Sequence, residues 1–136
     1  MARYVRGLLI VPIAFGHACR GPSDPSELPK GTWGGDHISM SVAQPATHVE
    51  LDCAHAEIPV PIQLDSANRF KVSGTFVREH GGPIRQGEVP DSHPASFSGS
   101  IAEATMTLTI RLTDSSETIG DYVLAQGATG RVFKCL

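Results

Sequence analysis

The chain has 136 residues, of which 40% are hydrophobic, 18% charged and 6% aromatic, a balance that suits one folded domain. Eleven basic residues against fourteen acidic ones leave a formal net charge of −3, which offers the phosphates of a nucleic acid little to hold. Nucleic acid is therefore excluded as the expected partner.

At the start of the chain, Arg3 and Arg6 precede an apolar stretch, Gly7 to Phe15 (GLLIVPIAF), which runs into GHAC. A basic segment, a short apolar core and a small residue before the cut site make residues 1–18 an expected secretory signal. The apolar stretch falls short of the roughly 20 residues that a membrane-spanning helix needs, and Pro12 interrupts it. Cys19 directly follows Ala18, and the segment resembles a bacterial lipoprotein signal, in which the cysteine after the cut carries the lipid. Gly16 and His17 stand where that pattern usually has Leu and Ala or Ser. The resemblance implies lipidation at Cys19 and a membrane anchor; the alternative is ordinary cleavage after Ala18 and secretion. Removal of residues 1–18 leaves nine basic against fourteen acidic residues, a net charge of −5.

Residues 20–30 (RGPSDPSELPK) hold three prolines and no apolar periodicity, so residues 19–30 are expected to be a flexible tether and residues 31–136 the folded domain. Nearly all of that domain alternates with period two. Ile38, Met40 and Val42 share one face, as do Thr47, Val49, Leu51 and Cys53. The stretch TMTLTIRLT sets Met106, Leu108, Ile110 and Leu112 against a threonine-rich face. No segment carries a helical apolar pattern.

Eight strands are predicted: 32–42, 47–53, 55–64, 69–80, 95–101, 105–113, 118–125 and 131–135. Short strands with one apolar face each, joined by tight turns, make an all-β fold, expected as a small antiparallel up-and-down barrel or, alternatively, a sandwich. Cys53 and Cys135 form an even pair in a chain expected to be exported, so a disulfide between them is expected to clip the last strand to the second. The long interruption is Gly81 to Pro94 (GGPIRQGEVPDSHP), a candidate lid or partner-facing loop.

Gly31-Thr32-Trp33 resembles the Gly-x-Trp signature that opens the first strand of lipocalins, avidins and related small β-barrels. The resemblance implies a cavity for a small apolar ligand, with Trp33 at its closed end and Arg131 as the arginine packed over the tryptophan. Physical size leaves a second reading. An eight-stranded barrel is just wide enough to be filled by side chains or to hold one small ligand, and Phe70, Phe76, Phe97, Met106 and Phe133 are enough to fill it. Trp33 is then a plug rather than a floor.

His37, His55 and His80 each lie one or two positions from an acidic residue. Convergence of the three at one rim is what a zinc site would require, with carboxylates orienting the rings; the alternative is three exposed or edge-strand histidines. Arg78-Glu79-His80 ahead of Gly-Gly-Pro sits at a strand-to-loop junction, where functional residues are often presented, or is an edge strand blunted by charge and proline. The sequence contains no G-x-S-x-G string and no glycine loop leading into a helix. The expectation is a non-catalytic envelope domain that binds a small apolar ligand. The alternatives are a filled barrel that meets another envelope protein through loop 81–94 and a histidine metal site.

Overall fold

The computed structural model describes residues 26–136, together with Gly16; residues 1–15 and 17–25, which include the signal segment, Cys19 and most of the tether, lie outside the described residues. Among the described residues ten strands form: β1 (Ser26–Glu27), β2 (Gly31–Gly35), β3 (Ile38–Val42), β4 (Thr47–Leu51), β5 (Ala54–Ile58), β6 (Gln63–Leu64), β7 (Arg69–Arg78), β8 (Asp91–Ala102), β9 (Thr105–Leu112) and β10 (Thr118–Gln126). Eight of them close into an antiparallel barrel in the order β10-β2-β3-β4-β5-β7-β8-β9. The all-β, eight-stranded up-and-down barrel expected from the alternation is the observed fold.

Two expected strands are in fact hairpins or loops. The stretch expected as 32–42 turns at Asp36-His37, where His37 has φ 66, and becomes β2 and β3. A two-residue hairpin turn needs left-handed backbone there. The stretch 131–135 is not a strand, apart from one bridge between Asp36 and Arg131. It is instead a strap that leaves β10, crosses the β2–β3 hairpin and ends beside the β4–β5 turn, held by hydrogen bonds from the Arg131 N–H to the Gly35 carbonyl (3.0 Å), the His37 N–H to the Arg131 carbonyl (2.7 Å) and the Cys53 N–H to the Phe133 carbonyl (3.2 Å). The expected loop 81–94 is shorter than its composition suggests: β8 starts at Asp91, and Pro94 pairs with Thr75 inside it.

Glycine makes the strap's crossing possible. A Cβ on Gly34 would overlap the backbone of Ala128, Thr129 and Gly130, and one on Gly130 would overlap the Ile38 carbonyl. Gly34, next to Trp33, is thus the floor on which the C-terminal strap lies. The Cys53–Cys135 disulfide fastens its end, with the two Cα atoms 4.9 Å apart and 82 positions separating them in sequence.

Inside, the barrel is filled. Trp33, Met40, Val49, Ile58, Phe97 and Ile110, one from each of six strands, are completely buried. Phe133, expected to help fill the interior, lies 58% exposed on the strap instead. The end opposite the strap is sealed by the residues just before β2. Ser26 and Glu27 pair with Leu64 and Gln63, the Leu28 N–H donates to the Ile62 carbonyl (2.9 Å), and Leu28, Ile62 and Leu64 are buried. Residues 26–30, expected to belong to the tether, are therefore part of the folded body. Trp33 packs beneath this seal and its indole N–H donates to the Pro29 carbonyl (3.2 Å), which satisfies its one polar atom. Such interiors are close-packed, so deleting a large side chain leaves a cavity the surroundings only partly fill. Phe97→Ala should lower unfolding free energy by about 3–5 kcal/mol in denaturant titration; a loss under about 1 kcal/mol would mean that the interior has room to spare.

Candidate functional site

With the interior filled and one end sealed, the cleft at the strap end is the surface where the fold gathers most chemistry. Four connections meet at that end: the turns 36–37 and 52–53, the loop 79–90 between β7 and β8, and the turn 113–117. The loop, the end of β7 and the strap enclose a cleft of about 480 Å³, within the range of small-molecule and peptide-anchor sites. Val77, Ile84, Val89 and Pro90 give it an apolar wall, while His55, Glu79, His80 and Lys134 stand around it. Ile84 and Val89 are 84% and 85% exposed, which is costly for aliphatic side chains with nothing over them.

The loop is shaped by one carboxylate. Glu88 accepts a hydrogen bond from the Arg85 N–H (2.9 Å) and pairs with His80 Nε2, while the Glu88 N–H reaches back to the Arg85 carbonyl (3.1 Å). Its carboxyl is held below the ordinary range, first by the Arg85 amide and then by His80. The His80 ring is raised above its ordinary value by its bond to the Gly81 carbonyl and by Glu88.

Behind the loop, Lys134 is the hub of the strap. Its ammonium lies 2.5 Å from Glu50 and 2.6 Å from Glu79 and donates to the carbonyls of Ala54 (2.9 Å) and Leu51 (3.3 Å). The two carboxylate oxygens are shielded from water and meet the ammonium as a charge contact rather than along a well-aligned hydrogen bond. Desolvation works against the charged form of Lys134, but contacts to Glu50 and Glu79 outweigh it and the ammonium is held above its ordinary value.

The structure separates the three candidate metal ligands. His37 bonds Asp52 (2.5 Å) on the β2–β3 turn, His55 bonds Glu79 (3.3 Å) and His80 pairs with Glu88. His55 and His80 border one cleft, and His37 does not line it. Among the described residues no group of three or more His, Cys, Asp or Glu is arranged to hold a metal ion, so the expected zinc site does not assemble. Each ring is engaged by a carboxylate instead. Arg131 is placed differently from the resemblance as well: its guanidinium is 75% exposed, 3.9 Å from Asp36, and it is the backbone of Arg131 that grips β2 and the turn after it.

Sequence reasoning missed Lys134, Glu50 and Glu88. Their neighbours in sequence carry no motif, and the two carboxylates that meet Lys134 are distant from it in sequence. It also missed that His93 bridges Asp114 and Asp91, at 2.8 Å each, tying the start of β8 to the turn after β9. No protein family, curated protein or solved structure matches the chain.

The His93 ring is raised above 6.5 first by Asp114 and then by Asp91, and Asp114 is lowered below 3.8 first by His93. A raised histidine stabilises the fold fully below its unfolded value and loses that effect as pH rises through the folded value; the lowered aspartate stabilises above its unfolded value and loses the effect as pH falls. The pair therefore supports the fold between roughly pH 4 and 6.5. Asp114→Asn should bring the His93 titration, followed by NMR of the imidazole, back toward 6.5; an unchanged midpoint would remove Asp114 as the cause.

Proposed function

We propose that this chain is a non-catalytic binding module of the cell envelope, exported and anchored through Cys19, whose barrel is a scaffold that presents the cleft beneath loop 79–90 to another protein. The observation that carries this reading is the filled interior: completely buried side chains from six strands occupy the space a barrel ligand would need. Among the described residues, Ile84 and Val89 at the cleft are the most exposed large apolar side chains after the terminal Leu136, ahead of Val60, Val123 and Phe133. Exposed aliphatic side chains beside a concavity, rimmed by polar groups, mark interaction sites.

Export is supported by the Cys53–Cys135 disulfide, because such bonds persist in oxidising compartments. The barrel's outer wall is polar, with Lys71, Ser96, Thr107 and Arg111 facing away from the buried residues of their strands, as suits a barrel standing in water rather than one facing lipid. The resemblance to lipocalins and avidins enters here through Trp33 on the first barrel strand, without the ligand cavity of that group.

Site-specific photo-crosslinking in the producing cells tests the reading. A photoreactive residue at position 84 should give a discrete crosslinked product, and one at position 107 on the barrel wall should not. In parallel, Trp33 fluorescence should not respond to a panel of small apolar ligands. A ligand-dependent shift of Trp33 emission, with no crosslink at position 84, would move the site back into the barrel.

A further inference from the structure

We propose that the segment received by this cleft is cationic as well as apolar, a Lys/Arg-containing stretch of a partner protein with aliphatic side chains between its charges; the inference rests on the reading above and adds the partner's chemistry. The groove comes first in the argument. It is a concavity of about 480 Å³ with an aliphatic wall, and its two most exposed side chains, Ile84 and Val89, are aliphatic. An occupant must therefore bring apolar groups to cover them.

Charge then distinguishes among apolar occupants. Around the cleft end, the turns and strand ends carry Asp36, Asp52, Glu88, Asp91, Asp114 and Glu117. Glu50 and Glu79 stand beside Lys134. Against these eight carboxylates there are five cations, Arg78, Arg85, Arg111, Arg131 and Lys134, so this end has a net charge of −3 when its histidines are neutral. The sealed end is closer to balance, with Glu27, Glu57, Asp65 and Glu103 against Lys30, Arg69 and Lys71, a net charge of −1. The excess of negative charge is thus gathered at the end that holds the exposed aliphatic wall.

Three of the five cations are already paired inside the rim, Arg131 with Asp36 at 3.9 Å among them. Arg78 donates to both Glu117 oxygens, at 2.8 and 2.9 Å, and Lys134 is taken by Glu50 and Glu79. Asp91, which lines the cleft, pairs with no Lys or Arg among the described residues; its partner is His93, and its side chain is 59% exposed. An acidic occupant would be repelled here, and so would the anionic surface of a lipid bilayer, whereas a cationic one is steered in and held. Protein is therefore favoured over membrane.

The test uses the full chain in its oxidised form and designed peptides of about twelve residues: alternating Lys and Leu, alternating Glu and Leu, and alternating Lys and Ser. Binding is followed by amide chemical shifts and titrated at low and high salt. The Lys/Leu peptide should shift the amides of Val77, Ile84 and Val89 and bind at least about tenfold more tightly than either control. Added salt should weaken it, as expected for charge pairing at a surface. Exchanging both exposed aliphatics, Ile84→Ser with Val89→Ser, should cost about tenfold without changing the melting temperature.

If the Glu/Leu peptide shifts the same amides equally well, the cationic assignment is overturned while the cleft remains the site. If Lys/Ser binds as tightly as Lys/Leu, or the shifts spread over the barrel walls, the contact is unspecific attraction and the proposal falls. Stronger binding to vesicles of anionic lipid than to the Lys/Leu peptide would overturn it in favour of a membrane. No shift with any peptide would overturn both the cationic assignment and the rim cleft as a peptide site.

Discussion

The crossing of the C-terminal strap over Gly34 is the contact on which the rest of the strap end depends. Two backbones approach there more closely than any side chain would allow, so Gly34 and Gly130 are both required, and the hydrogen bonds of Arg131 to Gly35 and His37 follow from that approach. Once laid across the hairpin, the strap brings Phe133 within hydrogen-bonding distance of Asp52 and Cys53, places Lys134 between Glu50 and Glu79, and delivers Cys135 to Cys53. The cleft wall formed by Lys134 and Cys135 exists because of this path. Cross-linking positions so far apart also restricts the unfolded chain, which in the chain-entropy account amounts to roughly 4 kcal/mol.

The two ends of the barrel are closed by different means, and this gives them different roles. At the sealed end, Leu28, Ile62 and Leu64 are buried over Trp33. That is packing. At the strap end, closure is polar, by backbone hydrogen bonds, ion pairs and a disulfide, and the loop above it leaves aliphatic side chains in water. Polar closure leaves a surface with directional groups and unmet apolar area, the combination that recognises a partner. The filled interior is what makes the barrel stiff enough to present it.

The barrel itself was legible because its alternation is strict: Met106, Leu108, Ile110 and Leu112 point in, and the residues between them point out. The β2–β3 hairpin was less so. Its signal is a change of parity, from Trp33 at an odd position to Ile38 at an even one, which only a two-residue turn explains; Asp36-His37 lacks the glycine that usually announces such a turn. The expected strand 131–135 is a strap instead, since Phe133 faces water and the segment carries no buried face to pack against the sheet. The disulfide was legible from cysteine count and compartment. The Lys134 hub was not, since Glu50 and Glu79 are 84 and 55 positions away and only the closure of the barrel brings them together. For the histidines, the acidic neighbours in sequence misled: His37, His55 and His80 are engaged by Asp52, Glu79 and Glu88, none of them the carboxylate one or two positions away, and each ring is taken by a carboxylate rather than oriented toward a metal.

Native-state hydrogen exchange before and after reduction of the Cys53–Cys135 bond tests most directly whether the strap end is a separate device built on a self-sufficient barrel. The account expects reduction to speed exchange of the strap amides and their partners, those of His37, Cys53, Arg131 and Phe133, while the amides of Phe97 and Ile110 in the filled interior keep most of their protection. Uniform loss of protection across β8 and β9 would contradict it, making the strap part of the core rather than a fastening laid over it.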